Sequence, residues 1–179
     1  MAGREGTRDL YALFGLPEAY EVDLGALSRK YHALQQHLHP DRFATAGDAE
    51  RRRAVQQAAE VNDAFQTLKD PLKRARHLLA RAGIATEDET DTVMDPGFLM
   101  QQLEWREQLE EVRHMAPSAR LERLSALEAE ASLRLREREQ VFAAVLREDP
   151  MGARAIVREM QFLRRLAVEA DSLAAQEEP

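Results

Sequence analysis

An all-α fold follows from three features of this sequence: few helix breakers, apolar residues at helical spacing, and aspartate–proline pairs that mark helix starts. The 179 residues include only 8 Gly and 7 Pro, aromatic residues make up 6%, and Ala, Leu, Glu and Arg dominate. That composition favours helix over strand nearly everywhere. Proline follows aspartate at Asp70-Pro71, Asp95-Pro96 and Asp149-Pro150. The carboxylate caps free backbone N–H groups, and proline suits the first helical position because it has no N–H to satisfy.

The elements follow in order. Asp9 caps a short helix through Leu10, Leu13 and Phe14, which Gly15-Leu16-Pro17 stops because the residue before proline avoids helix. Asp23 opens a second helix whose apolar positions Leu24, Leu27, Tyr31, Leu34 and Leu38 keep helical spacing until Pro40 ends it. A loop, His39 to Gly47, leads to a third helix from about Asp48, with Val55, Ala58, Val61, Phe65 and Leu68 on its apolar stripe. The second and third helices then pack as an antiparallel hairpin. Asp70-Pro71 starts a fourth, short helix that stops at Gly83, closing a first domain over residues 1–83.

Residues 84–95 are polar, acidic and threonine-rich without a sustained period, which suits a linker. Residues 96–179 hold three longer helices: Pro96 to about Met115, a second after Pro117-Ser118 to about Glu148, and a third from Pro150 fading near Ala175. None can bury its stripe alone, so an antiparallel three-helix bundle is expected. Leu124, Ala131, Leu135, Phe142 and Val145 face the seam from the second, and Ile156, Met160, Leu163, Ala167 and Ala170 from the third. A continuous heptad coiled coil is the alternative, and the breaks at Pro117 and Pro150 favour the bundle.

Charge is unevenly placed on the chain, whose net formal charge is -7. Residues 1–82 carry 13 basic and 11 acidic side chains, and residues 83–179 carry 12 and 21. An acidic second half repels phosphates, so nucleic acid and anionic membrane are not expected partners, and a basic protein surface suits it better. With no cysteine there is no disulfide, thiol nucleophile or thiolate metal site. No apolar run approaches the roughly 20 residues of a membrane span, and residues 1–9 lack signal or transit character. The expected compartment is the cytoplasm.

On a helical wheel at about 100 degrees per residue, the apolar residues of Pro96 to Met115 fall into two groups. Phe98, Trp105, Leu109 and Val112 form the bundle-facing arc. Leu99, Met100 and Leu103 lie nearly opposite, and Glu104, Glu107 and Glu111 continue their face. This second group is either an exposed binding patch rimmed by carboxylates or a surface that packs on the first domain. Phe162 stands to one side of the last helix's core direction, where it joins that patch or fills a groove of the bundle.

The loop tripeptide His39-Pro40-Asp41 sits between two amphipathic helices, where proline stiffens the chain and leaves its neighbours available to a partner. The plain reading is a helix stop followed by a turn. Catalysis is not expected, because no nucleophile, oxyanion site or phosphate loop accompanies His39 and Asp41. Metal is not expected either, since His32, His37 and His39 do not share a helical face. No cofactor is implied.

Together with Leu13-Phe14-Gly15-Leu16, Arg29-Lys30-Tyr31, Val61-Asn62-Asp63-Ala64-Phe65, Leu68 and Asp70-Pro71, the tripeptide resembles a J-domain. The resemblance implies a loop that engages a DnaK-type chaperone and stimulates its ATP hydrolysis. His39, Pro40, Asp41, Arg29 and Lys30 would be the chaperone-binding residues; the plain alternative for Arg29 and Lys30 is a solvated helix face. Gln36 departs from the pattern, standing where many J-domains place another basic residue.

The whole chain is similar to the HscB family of iron–sulfur cluster co-chaperones. The similarity rests on Pro71-Leu72-Lys73-Arg74-Ala75-Arg76-His77-Leu78-Leu79, on Phe98 through Glu107 and on Phe162-Leu163. It implies a bundle that binds an iron–sulfur scaffold protein (IscU-like) through Leu99, Met100, Leu103, Glu104, Glu107, Glu111 and Phe162. The J-domain would then hand that scaffold to a specialised DnaK-type (HscA-like) chaperone. Trp105 stands where relatives often carry an aliphatic residue, which its inward position makes a matter of packing. The runner-up is a general J-domain co-chaperone whose bundle dimerises or captures clients broadly.

Overall fold

The computed structural model describes residues 7–43, 47–86 and 95–176. Those residues form seven α-helices and one 3-10 turn with no strand among them: α1 Leu10–Leu13, α2 Leu24–His37, the turn Pro40–Phe43, α3 Asp48–Lys69, α4 Pro71–Arg81, α5 Pro96–Val112, α6 Pro117–Glu148 and α7 Pro150–Ala175. The chain divides into two compact units, Met1–Gly83 and Ile84–Pro179. Residues 87–94 of the expected linker lie outside the described residues.

The capping chemistry read from sequence is present at atomic detail. Asp9, Asp23, Asp70, Asp95 and Asp149 each accept a bond from a first-turn backbone N–H through the side chain, and proline occupies the first turn of α4, α5 and α7. Asp149 both ends α6 and caps α7, so the chain reverses over a single residue. Gly15 and Gly83 take positive φ, +54° and +78°, where a side chain would be strained. Gly83 thereby closes α4, and its N–H donates to the Ala80 carbonyl.

In the first unit α2 and α3 pack as a hairpin around Leu27, Val61, Ala64 and Leu68, with α4 contributing Ala75 and Leu79. Tyr31 stacks on Phe65 at 4.1 Å between ring centroids, and its hydroxyl lies 3.3 Å from the Asn62 side-chain oxygen. Arg74 is buried and compensated in part: one guanidinium nitrogen donates to the Leu68 carbonyl and the group lies over the Tyr20 ring at 4.9 Å, while its Nε has no hydrogen-bond partner. At the end of α4, Arg81 pairs with Glu18 at 2.6 Å and Asp9 at 3.4 Å, which tethers α4 to the cap of α1.

Two residues of the expected stripes are exposed, and Tyr31, Leu34, Leu38 and Ala58 are half-buried. Val55 is 59% exposed and Ala54 is buried in its stead. At about 100 degrees per residue Ala54 lies roughly 20 degrees from Val61 on the wheel, whereas Val55 lies roughly 120 degrees away. Leu24 is 48% exposed as the first residue of α2, flanked by exposed Asp23 and Gly25.

In the second unit α6 and α7 pack along most of their length, and α5 lies against them. The core joins Phe98, Trp105, Leu109 and Val112 of α5 to Leu124, Leu127 and Ala131 of α6 and to Leu163, Leu166, Ala167 and Ala170 of α7. Leu135 and Val145, expected in the seam, are half-buried. The stripe of α7 is wider than expected, adding Ala153, Val157 and Leu166, as befits a helix with more than one neighbour. Glu159 is also buried there, with Arg138 of α6 at 3.3 Å. Burial raises its carboxyl pKa, the Arg138 charge offsets this in part, and Asp95 adds to the rise.

Candidate functional site

The first unit presents the loop tripeptide. The helical run of α2 stops at His37, and the segment Pro40–Phe43 closes into a 3-10 turn that the sequence pattern did not reveal. This turn holds Asp41 with its side chain 90% exposed and His39 with its side chain 60% exposed. Two contacts compete for His39 Nδ1: the Asp41 backbone N–H donates to it at 3.3 Å, and the Asp41 carboxylate lies 3.5 Å away. The first needs a lone pair on that nitrogen and the second needs a proton. With a lone pair on Nδ1 the backbone bond is made, and the exposed Asp41 carboxylate is open to accept from another molecule.

On α2, Arg29 is exposed. Lys30 is half-buried, and its ammonium donates to the Gly15 carbonyl at 2.7 Å, which braces the turn after α1. Of the two basic residues singled out on this helix, one therefore has a structural task inside the unit.

The second unit presents the divided face of α5. Phe98, Trp105, Leu109 and Val112 are buried, whereas Leu99, Met100 and Leu103 are 41%, 60% and 56% exposed. Glu104, Glu107 and Glu111 are exposed beside them. An amphipathic helix with one buried stripe leaves its opposite side to water, so three large apolar side chains there make a patch rimmed by carboxylates.

Leu103, Glu107 and Glu111 also line an open cleft of about 700 Å³, whose far wall is Glu169 and Leu173 of α7. Those two residues and Glu110 were missed at the sequence level. No periodicity within α7 links Glu169 and Leu173 to α5, because only the packing of the two helices does.

Phe162 lies against the buried arc of α5, formed by Phe98 and Trp105. It is half-buried, with its ring centroid 5.8 Å from both Trp105, on which it stacks, and Phe98, which it meets edge-on. It therefore fills a groove of the bundle while keeping part of its ring at the surface. Trp105 also directs its indole N–H toward Glu130 of α6 at 3.4 Å.

Among the described residues no three His, Asp or Glu side chains gather in an arrangement that would hold a metal ion. No described helix is long and apolar enough to cross a membrane.

A helical hairpin whose loop exposes His39 and Asp41 of a His-Pro-Asp tripeptide, on the same chain as a three-helix bundle with a divided first helix, defines the class: a J-domain protein with its own C-terminal helical module. Residues 94–171 match the family model described as the HSCB C-terminal oligomerisation domain. A co-chaperone protein HscB homolog of Cupriavidus taiwanensis is 44% identical over 92% of this chain and 92% of its own length. One from Shewanella baltica is 42% identical over 87% and 91%.

Among solved structures, chaperone HscB from Vibrio cholerae superposes with a TM-score of 0.81 at 38% identity, covering 96% of this chain and all of that one. Human co-chaperone protein HscB gives 0.83 at 26% identity, covering 94% and 83%. The chain belongs to the HscB family of co-chaperones.

Proposed function

We propose that this protein is a two-ended adaptor of the cytoplasm. Its bundle binds an iron–sulfur scaffold protein of the IscU type through Leu99, Met100, Leu103, Glu104, Glu107, Glu111 and Phe162. Its His39-Pro40-Asp41 turn engages a DnaK-type chaperone of the HscA type and stimulates that chaperone's ATP hydrolysis. The adaptor catalyses no covalent step; it brings client and chaperone together.

The observation that carries this reading is the exposure of Leu99, Met100 and Leu103 opposite a fully formed core stripe on the same helix. A patch of that kind, rimmed by carboxylates, suits a partner with an apolar centre and basic flanks. At the other end Asp41 is free to accept a charge-assisted bond from a partner arginine.

Calorimetry with purified scaffold tests the bundle end. Glu104→Lys with Glu107→Lys is expected to weaken binding about tenfold or more, from two charge reversals at an interface rim, while scaffold-independent stimulation of the chaperone persists. Unchanged affinity would mean that the face is wrong. An ATPase assay with and without scaffold tests the adaptor idea itself, which requires synergy.

The description of the matching family model as an oligomerisation domain favours a second reading, in which the same apolar face joins two copies of the chain. Light scattering distinguishes them. A dimer disrupted by Leu103→Asp would support the second reading, and a monomer that binds scaffold supports the first.

A further inference from the structure

The chain has no cysteine, so its readily oxidised sulfur is that of methionine. A dissolved oxidant must reach that sulfur, and the described methionines meet solvent very unequally. Met160 is fully buried in the bundle and Met115 is half-buried, whereas Met100 and Met151 are each 60% exposed.

Only one of the exposed pair stands in the divided face of α5. At about 100 degrees per residue Met100 lies roughly 20 degrees from Glu107 and from Glu111, and roughly 60 degrees from Leu103. It is also more exposed than Leu99 at 41% and Leu103 at 56%. Met151 lies in the first turn of α7, roughly 16 Å along the helix axis from Phe162.

The chemistry of the position follows from its neighbours. A thioether is soft and adaptable, and suits an apolar contact. Its sulfoxide is polar and carries an acceptor oxygen. The residues one turn away on α5, Pro96, Gly97, Leu103 and Glu104, bring no side-chain donor to that oxygen, because a carboxylate only accepts. Covered by an apolar partner surface, the oxygen is left unpaired.

We propose that Met100 is an oxidative modification site, at which a peroxide converts the thioether to the sulfoxide and so weakens the hold of the bundle on the scaffold protein. The inference rests on the reading of the α5 face as the scaffold contact. A lone pair of the sulfur takes one oxygen of hydrogen peroxide as the O–O bond breaks, and the departing hydroxide takes that oxygen's proton and leaves as water. Sulfur is oxidised by the electron pair that reduces the peroxide. A methionine sulfoxide reductase, drawing an electron pair from thiols, restores the thioether and releases water.

The test is calorimetry of the full-length chain with a purified scaffold protein of the IscU type, before and after treatment with hydrogen peroxide that is removed before mixing. Peptide mass spectrometry should show an added oxygen at Met100 and at Met151, and none at Met160. Oxidation is expected to raise the scaffold Kd about tenfold, the effect of burying a polar oxygen without a partner. The urea midpoint should not change, because the modified side chain lies outside the core. Reductases for both sulfoxide epimers should return the Kd to its starting value. Taken as the ratio of Kd after and before peroxide, Met151→Leu should match the parent, and Met100→Leu should stay below about twofold.

An equal ratio in Met100→Leu would overturn the proposal, since the loss would then arise at another residue. So would a loss of binding matched by a lower urea midpoint, which would be unfolding. Leu103→Asp, measured without peroxide, separates the remaining outcomes. If it weakens binding while full conversion of Met100 does not, the α5 face stands and this inference alone fails. If neither has an effect, the reading of the face falls and takes this inference with it.

Discussion

Phe162 belongs at once to the bundle's packing and to its proposed recognition face, and Phe162→Ala separates the two roles. The ring is half-buried, so its removal forfeits about half of the roughly 1.5–3 kcal/mol that full burial of such a side chain contributes. It also forfeits two aromatic contacts at 5.8 Å, one stacked on Trp105 and one edge-on to Phe98, each worth about 0.5–1.5 kcal/mol. The expected loss is about 2–4 kcal/mol.

Urea unfolding followed by fluorescence reads this directly, because the chain has one tryptophan and it is Trp105, 2% exposed beside the substituted ring. At a slope of about 2 kcal/mol per molar urea the midpoint should fall by about 1–2 M. Phe162→Leu keeps most of the buried volume but neither aromatic contact, and should lose about 1–3 kcal/mol. An unchanged midpoint for Phe162→Ala would refute the packing argument. Scaffold titrations well below both transitions complete the separation. If the leucine variant binds like the parent, Phe162 acts by supporting α5, and if it loses binding as alanine does, the ring itself is the contact.

Two further outcomes are expected. Burial holds the Glu159 carboxyl pKa above its ordinary value of 4.5, so the folded state retains a proton that the unfolded chain releases. Stability therefore declines as pH rises from about 4.5 until the folded group ionises. Glu159→Gln should flatten that decline in urea titrations run from about pH 4 to about pH 8, with no loss at neutrality. A marked loss there would mean that the Arg138 attraction outweighs burial. At the start of α4 the Asp70 carboxylate accepts from the Lys73 N–H at 2.9 Å. Asp70→Ala should cost about 1 kcal/mol in thermal unfolding and Asp70→Asn much less.

What the sequence made legible is what depends on near neighbours in the chain. Aspartate–proline pairs fix where α4, α5 and α7 begin because cap and proline act within one turn. The two sides of α5 separate on a wheel because its angular period is intrinsic to the helix. Errors arise where drift or distant packing decides: Val55 falls off the stripe of α3, and Leu127, Val157 and Leu166 join the core because a bundle helix has more than one neighbour. Neither Lys30 bracing Gly15, nor Glu169 facing Glu107 across a cleft, nor Phe162 stacking on Trp105 leaves a local pattern. Each joins residues set side by side only by the fold.

The two-sided character of α5 raises a question of folding as well as recognition, since a helix with large apolar residues on opposite sides has two ways to dock. Turned half a revolution, α5 would offer Leu99, Met100 and Leu103 to the bundle and leave Phe98 and Trp105 in water. That arrangement would drive Glu104, Glu107 and Glu111 into the core, and burying unpaired carboxylates costs several kcal/mol apiece. The glutamates that dress the outer face therefore also tell the helix which side is inside. Replacing them together with leucine would be expected to do more than blunt recognition: it would remove the penalty that excludes the inverted packing.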